Sequence, residues 1–251
     1  MLGAFRGEFE QGGVVAHRGG LEQGRGGEEE REQRGDHADT VLRARVTARG
    51  GVGYGHAVPK PLPRGVLVAF EGIDGSGKST QAALLTDWAT QHGLDAVRTR
   101  EPTNGPWGMK VRESKVSGRL SPDEELQCFL EDRKEHVATL IAPALARGAL
   151  VIIDRYYYST AAYQGARGHD PLALIAKNRE FAPKPDVVFL MDFDPRLGVD
   201  RINARGAGGQ DTFESLPALT RSRDIFLSLD EPHIVKLDAK KAPDELHASV
   251  L

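Results

Sequence analysis

The segment that most constrains this chain is a glycine-rich stretch at residues 70–80, which reads Phe-Glu-Gly-Ile-Asp-Gly-Ser-Gly-Lys-Ser-Thr. It matches the pattern G-x-x-x-x-G-K-S, whose fixed points are Gly72, Gly77, Lys78 and Ser79. A short apolar run precedes the pattern, and a segment with apolar side chains at helical spacing follows it. Strand, glycine loop and helix in this order form the context in which the pattern binds phosphate groups.

The chemistry of this loop follows from its residue types. Glycines let successive backbone N–H groups approach phosphate oxygens, and the following helix adds the positive end of its dipole. Lys78 can reach the β- and γ-phosphates, and the Ser79 hydroxyl can bind Mg²⁺. We therefore expect a nucleoside triphosphate and Mg²⁺ here; the alternative is a glycine-rich turn that binds nothing. The expected triphosphate-binding residues are Gly72, Asp74, Gly75, Ser76, Gly77, Lys78, Ser79 and Thr80.

Composition narrows the possible partners. The chain has 251 residues, enough for one α/β domain with or without a tail, and a formal net charge of −3. That charge gives no electrostatic reason to expect nucleic acid or an anionic membrane as a partner. The single cysteine, Cys128, excludes an intramolecular disulfide and a zinc cluster, and it fits a reducing cytoplasm. No apolar run approaches the ~18 residues of a membrane span, and the N-terminus lacks a secretory-signal pattern. We expect a cytoplasmic protein.

Residues 1–64 differ from the rest of the chain. They hold 14 of the 29 glycines, the charged run Glu-Glu-Glu-Arg-Glu at 28–32, and little apolar periodicity. Such a segment buries too little apolar surface to offset its ordering entropy, so we expect it to be disordered. Two alternatives are a regulatory or partner-binding tail and a mis-annotated start, with Val58 or Val66 as the true initiation site. N-terminal sequencing of the native protein distinguishes them.

In residues 65–251 short apolar runs alternate with segments of helical spacing. This alternation predicts an α/β fold, a P-loop NTPase three-layer sandwich with a central, mostly parallel five-stranded sheet and helices on both faces. The predicted strands are 66–70, 95–100, 150–153, 186–191 and 233–237. The predicted helices are 78–91, 109–117, a long helix from Ser121 with a break before Pro143, 156–163, 171–181, 196–205, 212–229 and 243–251.

Residues that follow parallel strands lie where such sheets bind ligands. Here they are Asp74, Arg100, Glu101, Asp154 and Arg155. A strand-end aspartate such as Asp154 can hold Mg²⁺, and a strand-end arginine such as Arg155 can clamp a phosphoryl oxygen. The alternative for this pair is a structural ion pair at the end of a buried strand.

Two further features have both a functional and a structural interpretation. Arg167 lies in a glycine-flanked loop, which suits a lid that closes on developing negative charge, but most loop arginines are simply solvated. Phe129 and Arg133 stand four residues apart on one helical face. They can stack on and hydrogen-bond a base, or they can be a core ring and a surface cation.

Five segments across residues 65–251 occur together in a characteristic order. They are residues 70–80, Thr99-Arg100-Glu101-Pro102, Phe129-x-x-x-Arg133-x-x-His136-Val137, Asp154-Arg155-Tyr156-x-x-Ser159-x-x-Ala162-Tyr163-Gln164-Gly165, and Asp211-x-Phe213-Glu214. In this order and spacing they resemble the thymidylate kinases, a family of P-loop nucleoside monophosphate kinases. The first segment is common to many NTPases, whereas the fourth is far more specific. The resemblance implies transfer of the γ-phosphate of ATP to dTMP with Mg²⁺, and it implies a homodimer.

The resemblance also implies roles on the acceptor side. Asp74 would contact the sugar hydroxyl or phosphate side of the acceptor. Phe129 would stack on thymine, and Arg133 would hydrogen-bond it. Arg100 and Arg155 would hold the acceptor phosphate.

Other implied roles concern the sugar and the lid. Tyr163 would press against the sugar and favour deoxyribose, and Gln164 would begin the lid. Because Ser76 occupies the loop position between Gly75 and Gly77, a catalytic arginine must come from the lid, where Arg167 matches. The residues expected to carry catalysis are Lys78, Arg155, Arg167 and Asp74; those expected to bind the acceptor are Arg100, Phe129, Arg133, Arg155, Tyr163 and Gln164; those expected to hold the metal are Ser79 and Asp154.

Two positions depart from the common pattern of that family. Thr103 and Asn104 replace two glycines, and Thr160 stands where asparagine often helps to position the acceptor. Both departures lie on the acceptor side. Two alternative functions therefore stay open, a P-loop kinase for another deoxynucleotide or nucleoside, and a P-loop ATPase switch without an acceptor.

Overall fold

The computed structural model describes residues 59–204 and 215–251, and its centre is a five-stranded parallel sheet. The strands are β1 (Val66–Glu71), β2 (Ala96–Arg100), β3 (Leu150–Asp154), β4 (Val187–Asp192) and β5 (Ile234–Asp238). They lie in the order β2-β3-β1-β4-β5, and every neighbouring pair is parallel. The predicted α/β fold with a five-stranded sheet is thus confirmed.

Helices surround this sheet. They are α1 (Lys78–Gln91), α2 (Pro106–Ser117), α3 (Pro122–His136), α4 (Ala142–Ala146), α5 (Tyr157–Gly165), α6 (Pro171–Arg179), α7 (Pro195–Ala204), α8 (Leu216–Ser228) and α9 (Pro243–Val250). Helix α1 packs on β1, β2 and β3, and α9 packs on α1 and β5; α8 packs on β4 and α5. No helix in the described part of the chain is both long and apolar enough to cross a membrane.

Local sequence explains most element boundaries. All six residues of β1 are buried, as expected of a central parallel strand that is covered on both faces. Helix α3 begins at a complete capping box, in which Ser121 and Glu124 exchange side-chain and backbone hydrogen bonds. As predicted, the long α-helix is interrupted before Pro143. A π-helical segment, Val137–Ile141, joins α3 to α4, and it accommodates the proline at the start of α4.

The strand order places a crevice between the carboxyl ends of β1 and β3. The connection after β1 crosses to β2 on one side, whereas the connection after β3 crosses to β4 on the other. Such a reversal leaves the ends of the two adjacent strands uncovered, and open α/β sheets bind ligands there. The glycine loop follows β1 and the Asp154–Arg155 pair ends β3, so both candidate elements meet at this crevice.

Residues just before the predicted boundary at residue 65 contact the packed domain. Lys60 N donates a hydrogen bond to the Gly93 carbonyl at 2.8 Å, Leu62 N donates to the Gly148 carbonyl at 2.8 Å, and Leu62 is buried in the core. These residues belong to the packed domain because Leu62 adds apolar surface to it. The expectation of disorder for residues 1–58, and the motif at 211–214, lie outside the described residues.

Candidate active site

The loop after β1 needs glycine at two positions for different reasons. Gly72 has φ +132°, and a Cβ there would lie 2.6 Å from the carbonyl oxygen of Met191 at the end of β4. Gly77 caps α1 with φ +93°, and no neighbouring atom lies within 4 Å of a Cβ placed there. The first glycine therefore permits close packing against the sheet, and the second leaves room in front of the helix N-terminus for an anion.

Lys78 lies inside the curl of this loop and is almost fully buried. Its Nζ donates a hydrogen bond to the Ile73 carbonyl at 2.7 Å. Burial, together with the charge of Arg155, lowers the pKa of Lys78 to about 8, which leaves the ammonium mainly protonated at neutral pH. The side chain lines a small polar cavity of about 140 Å³ beside the loop. The remaining lining residues are Asp74, Gly75, Gly77, Ser79, Thr80, Arg100, Glu101, Asp154 and Arg155.

Asp154 and Ser79 provide oxygen atoms that suit Mg²⁺. The Ser79 hydroxyl donates a hydrogen bond to Oδ2 of Asp154, while the buried Oδ1 of Asp154 has no partner within the described residues. Among the described residues, no three or more His, Cys, Asp or Glu side chains are grouped so that they alone could hold a metal ion. A hydroxyl and one carboxylate, completed by phosphate oxygens and water, form the donor set that Mg²⁺ prefers with nucleotides. The two predicted metal residues therefore fit the ion.

Arg155 is fixed at the end of β3 by a network with Asp74. Its Nη2 lies 2.5 Å from Oδ1 of Asp74, and its Nη1 donates to the Ser159 hydroxyl at 3.1 Å. Burial alone would raise the pKa of Asp74, but the charges of Arg155 and Lys78 outweigh it and hold that pKa well below its usual range. Arg155 has φ 68°, a strained conformation for a residue other than glycine. The surrounding contacts thus hold a guanidinium in a costly but defined position.

Tyr163 completes this network. Its hydroxyl donates to Oδ2 of Asp74 at 2.9 Å and accepts from the Asp74 backbone N–H at 3.1 Å. The guanidinium of Arg155 lies over the Tyr163 ring, with Cζ 5.1 Å from the ring centroid. The predicted residues Asp74, Arg155 and Tyr163 are therefore brought together.

A fully buried carboxylate, Glu71, ties the glycine loop to the start of α5. Its Oε1 accepts from Tyr156 N at 2.8 Å and from Ser159 N at 3.2 Å, and its Oε2 accepts from the Ser159 hydroxyl at 2.5 Å. Burial raises the pKa of Glu71 to about 7, although the hydrogen bonds from Ser159 and Tyr156 lower it. The sequence offered no sign of this link, because the two ends are 85 to 88 residues apart.

Glu71 makes the stability of the fold depend on pH. Between its ordinary pKa of 4.5 and about 7 the folded protein keeps a proton that the unfolded chain releases, so the free energy of unfolding falls as pH rises through this window. Glutamine is neutral at every pH. We therefore expect the free energy of unfolding of the wild type, minus that of Glu71→Gln, to fall by up to ~3 kcal/mol from about pH 5 to about pH 8. Urea unfolding at both pH values measures it; a pH-independent difference would contradict the assignment.

A second, larger cavity of about 400 Å³ adjoins the small one. Asp74, Arg100, Glu101 and Arg155 line both cavities. The larger cavity is also lined by Pro102, Val111, Arg112, Lys115, Arg119, Glu125, Phe129, Arg133, Tyr156, Ser159, Thr160, Tyr163 and Gln164. All six predicted acceptor-binding residues are among its lining residues. A small molecule in this cavity would thus meet a group bound at the glycine loop beside Arg155.

Arg133 is buried beneath this cavity rather than exposed on the helix surface. Its Nε and Nη2 donate to Oε2 of Glu101 at 2.8 and 2.5 Å, Nη1 donates to Oδ1 of Asn178 at 2.5 Å, and Nη2 donates to the Thr160 hydroxyl at 3.0 Å. These contacts use four of the five N–H groups of a guanidinium. The interpretation of Arg133 as a surface cation is wrong, because its side chain is buried and forms an ion pair with the buried carboxylate of Glu101. Phe129, one turn earlier, is half-buried.

Gln164 lines the larger cavity and carries an acceptor without a partner in the described part of the chain. Its Nε2 donates to Oε2 of Glu125 at 2.8 Å. Its Oε1 is buried and has no hydrogen-bond partner within residues 59–204 and 215–251. A buried carbonyl oxygen without a partner is costly, and a ligand N–H satisfies it.

Arg167 lies away from the glycine loop. It follows α5 and forms an ion pair with Glu125, and its Nη2 donates to the Leu120 carbonyl at 3.0 Å. It does not line either of the two cavities described above. The structure therefore does not bring this predicted residue together with Lys78 and Arg155, and its role requires movement of the turn that carries it.

Sequence reasoning missed a further cation, Arg112 on α2. Its Nη1 donates to the Thr103 carbonyl at 2.5 Å, and its Nη2 donates to the Pro102 carbonyl. Burial and the charge of Arg100 lower its pKa, and both guanidinium groups belong to residues that line the larger cavity. The sequence signal that could have found it is its position. Arg112 lies in the middle of the helix that follows the loop after Arg100.

Two of the departing residues are held by hydrogen bonds. Asp132 accepts from Thr103 N at 2.8 Å and from the Thr103 hydroxyl at 2.5 Å. Thr160 accepts from Arg133, as described above, and lines the larger cavity.

Comparisons with known proteins point in one direction. A family model described as thymidylate kinase matches residues 70–250. A thymidylate kinase of Akkermansia muciniphila is 48% identical over 187 residues, which are 74% of this chain and 90% of that protein. A thymidylate kinase of Xanthomonas oryzae pv. oryzae is 49% identical over 193 residues, 75% of this chain and 84% of that protein. One of Xylella fastidiosa is 47% identical over 190 residues, 76% of this chain and 87% of that protein.

Proposed function

The chain belongs to the thymidylate kinase family, and on that basis we propose that it transfers the γ-phosphoryl group of ATP to dTMP, giving ADP and dTDP. Family membership does not favour the alternatives of another acceptor or of an ATPase switch without an acceptor. The observation that carries the proposal is the contact between two cavities at Arg155 and Asp74. A donor triphosphate on the loop and an acceptor in the larger cavity would meet at this junction.

We propose that the acceptor phosphate lies among the cations at this junction. Arg100 and Arg155 line both cavities, and Arg112 lines the larger one. Guanidinium groups bind phosphate through paired N–H donors, and three of them can offset the charge of a phosphate dianion. Phe129 offers a ring for stacking on the base, and Tyr163 packs beside the position of the sugar.

The polar groups at the other end of the cavity fit the keto edge of thymine. Gln164 offers an unpartnered acceptor, and Arg133 has one N–H group left beyond its four protein contacts. Thymine presents a ring N–H next to the O4 acceptor, whereas cytosine presents a ring acceptor next to the N4 amino group. The arrangement matches thymine and leaves like groups facing each other with cytosine, which is strongly unfavourable in a buried site.

The transfer itself needs positioning and charge rather than a covalent enzyme intermediate. Lys78 and the backbone N–H groups of the loop hold the β- and γ-phosphates, and Arg155 neutralises the oxygens between donor and acceptor. Asp74 remains ionised because of its low pKa, so it cannot supply a proton; it orients Arg155 through their ion pair. When bound through Ser79 and Asp154, Mg²⁺ adds positive charge to the phosphates. Arg167 supplies the last cation after the turn that carries it closes.

An acceptor panel tests this function. Purified protein with ATP and Mg²⁺ should form ADP only when a monophosphate is added, and dTMP should give the highest kcat/KM among dTMP, dUMP, dCMP and dGMP. Preference for another monophosphate would replace dTMP as the acceptor. ADP formation that does not depend on any monophosphate would support the ATPase switch instead.

Three further properties are proposals as well: the extent of the domain, the cellular location and the oligomeric state. We propose that the packed unit that begins near residue 59 is the kinase domain, that the enzyme works in the reducing cytoplasm, and that it forms a homodimer as the family resemblance implies. The single, buried Cys128 supports the second point. Sedimentation velocity of the full chain tests the dimer.

A further inference from the structure

We propose that Glu125 is the positioning residue for base selectivity, because its carboxylate fixes the orientation of the Gln164 amide. This inference rests on the proposed function and deepens it. Glu125 lies in the first turn of α3, where an acidic side chain usually faces solvent near the helix dipole. Here it is only 1% exposed and lines the larger cavity. A carboxylate buried in that place requires partners, and the described part of the chain provides three.

The first partner is the amide of Gln164. Because a carboxylate oxygen only accepts hydrogen bonds, the group that lies 2.8 Å from Oε2 of Glu125 must be the amide NH₂. The reversed amide would place two oxygen atoms against each other without a proton between them. Glu125 thereby forces Oε1 of Gln164 to the opposite side, where it is buried and has no partner in the described part of the chain.

The other two partners compensate the negative charge. Nη2 of Arg119 lies 3.2 Å from Oε2 of Glu125, and Arg167 forms an ion pair with the same oxygen. Both arginines are partly exposed, at 28% and 18% of their side-chain surface, so Glu125 is the buried member of each pair. The two guanidinium groups offset the energetic cost of burying the carboxylate. The carboxylate in turn allows the Gln164 amide only one orientation.

This arrangement has a consequence for the choice of acceptor. A fixed Oε1 that faces ring position 3 accepts from the N–H of thymine, whereas with cytosine it faces the unprotonated ring nitrogen. Glutamine at position 125 can either donate to or accept from Gln164, so both orientations of the Gln164 amide become available. We expect Glu125→Gln to lower the ratio of kcat/KM for dTMP over dCMP by at least about 10-fold.

Steady-state kinetics of the full chain with both acceptors tests the proposal. The matched control is Glu131→Gln on the same helix, whose side chain contacts Gln127 and Lys134 and does not line the larger cavity. The control should keep the wild-type ratio. Any effect that Glu125→Gln exerts through Arg167 acts on both acceptors alike and cancels in the ratio. An equal loss of kcat/KM with dTMP and dCMP would show that Glu125 is merely structural and overturn the proposal.

A double-mutant cycle makes the test specific to Gln164. In a Gln164→Ala background, Glu125→Gln should leave the ratio unchanged, because the amide that it orients is absent. If Glu125→Gln does not fold, Glu125→Asp keeps the charge beside Arg119 and Arg167 but shortens the reach to Gln164, and it should lower the ratio in the same direction. A wild type that prefers dTMP, with folded variants that keep its ratio, overturns this inference alone. A wild type that does not phosphorylate dTMP overturns the proposed function and this inference with it.

Discussion

Replacement of Arg167 by alanine is expected to lower kcat about 10³-fold and to change the affinity for ATP by less than about 3-fold, by analogy with other arginines that act on the transferred phosphoryl group. The physical reason is that Arg167 binds Glu125 and Leu120 in this structure, not the phosphate loop. A contact that forms only when the turn closes strengthens the transition state more than the bound ground state, so its loss lowers kcat.

The loop itself explains why another cation is needed. The residue between Gly75 and Gly77 is Ser76, which is buried and neutral. Lys78 and Arg155 already neutralise part of the phosphate charge, and the family resemblance implies that the lid supplies a further arginine. Steady-state kinetics and binding of a fluorescent ATP analogue separate kcat from affinity. Arg147→Ala, which removes a surface ion pair with Asp95, is the control and should behave as wild type. A folded Arg167→Ala variant with unchanged kcat would remove Arg167 from the mechanism.

The framework of the site could be predicted because it depends on short-range patterns. The apolar runs that became β1 and β3 are continuous, and their ends are marked by the glycine loop and by Asp154. Parallel topology then required these ends to lie at one edge of the sheet. Most observed element ends lie within one to four residues of those predicted. The π-helical segment after His136 was not predicted, since no residue type specifies it.

The buried carboxylates could not be predicted because their partners are distant in sequence. Glu125 lies in the first turn of α3, and only the fold brings Arg167 to it from 42 residues away. Glu71 and Glu101 are also buried; Glu71 was visible only as part of a longer motif, and Glu101 only as part of a motif and as a residue at the end of a strand. Acidic side chains are mostly exposed in proteins, so the burial of these three could be recognised only from the tertiary structure.

Replacement of Arg133 by alanine is expected to lower the free energy of unfolding by about 3–5 kcal/mol, in addition to weakening dTMP binding. Arg133 is 1% exposed and Glu101 is 4% exposed, so removal of the guanidinium leaves a buried carboxylate. Among the described residues His136 also contacts this carboxylate, with its Nδ1 3.0 Å from Oε1 of Glu101. Binding of ATP should be affected less, because Arg133 does not line the small cavity. Urea unfolding and calorimetry with dTMP measure the two effects.

A second-site change separates the structural role of Arg133 from its role in binding. In Glu101→Gln/Arg133→Ala the uncompensated charge is gone, so much of the lost stability should return. Affinity for dTMP should remain at least about 10-fold below that of Glu101→Gln alone, because the remaining N–H donor to the base is still missing. Glu101→Gln serves as the matched reference, since Glu101 lines both cavities and has effects of its own. If the double variant binds dTMP as tightly as this reference, Arg133 only supports the fold, and base recognition must depend on Gln164 and Phe129.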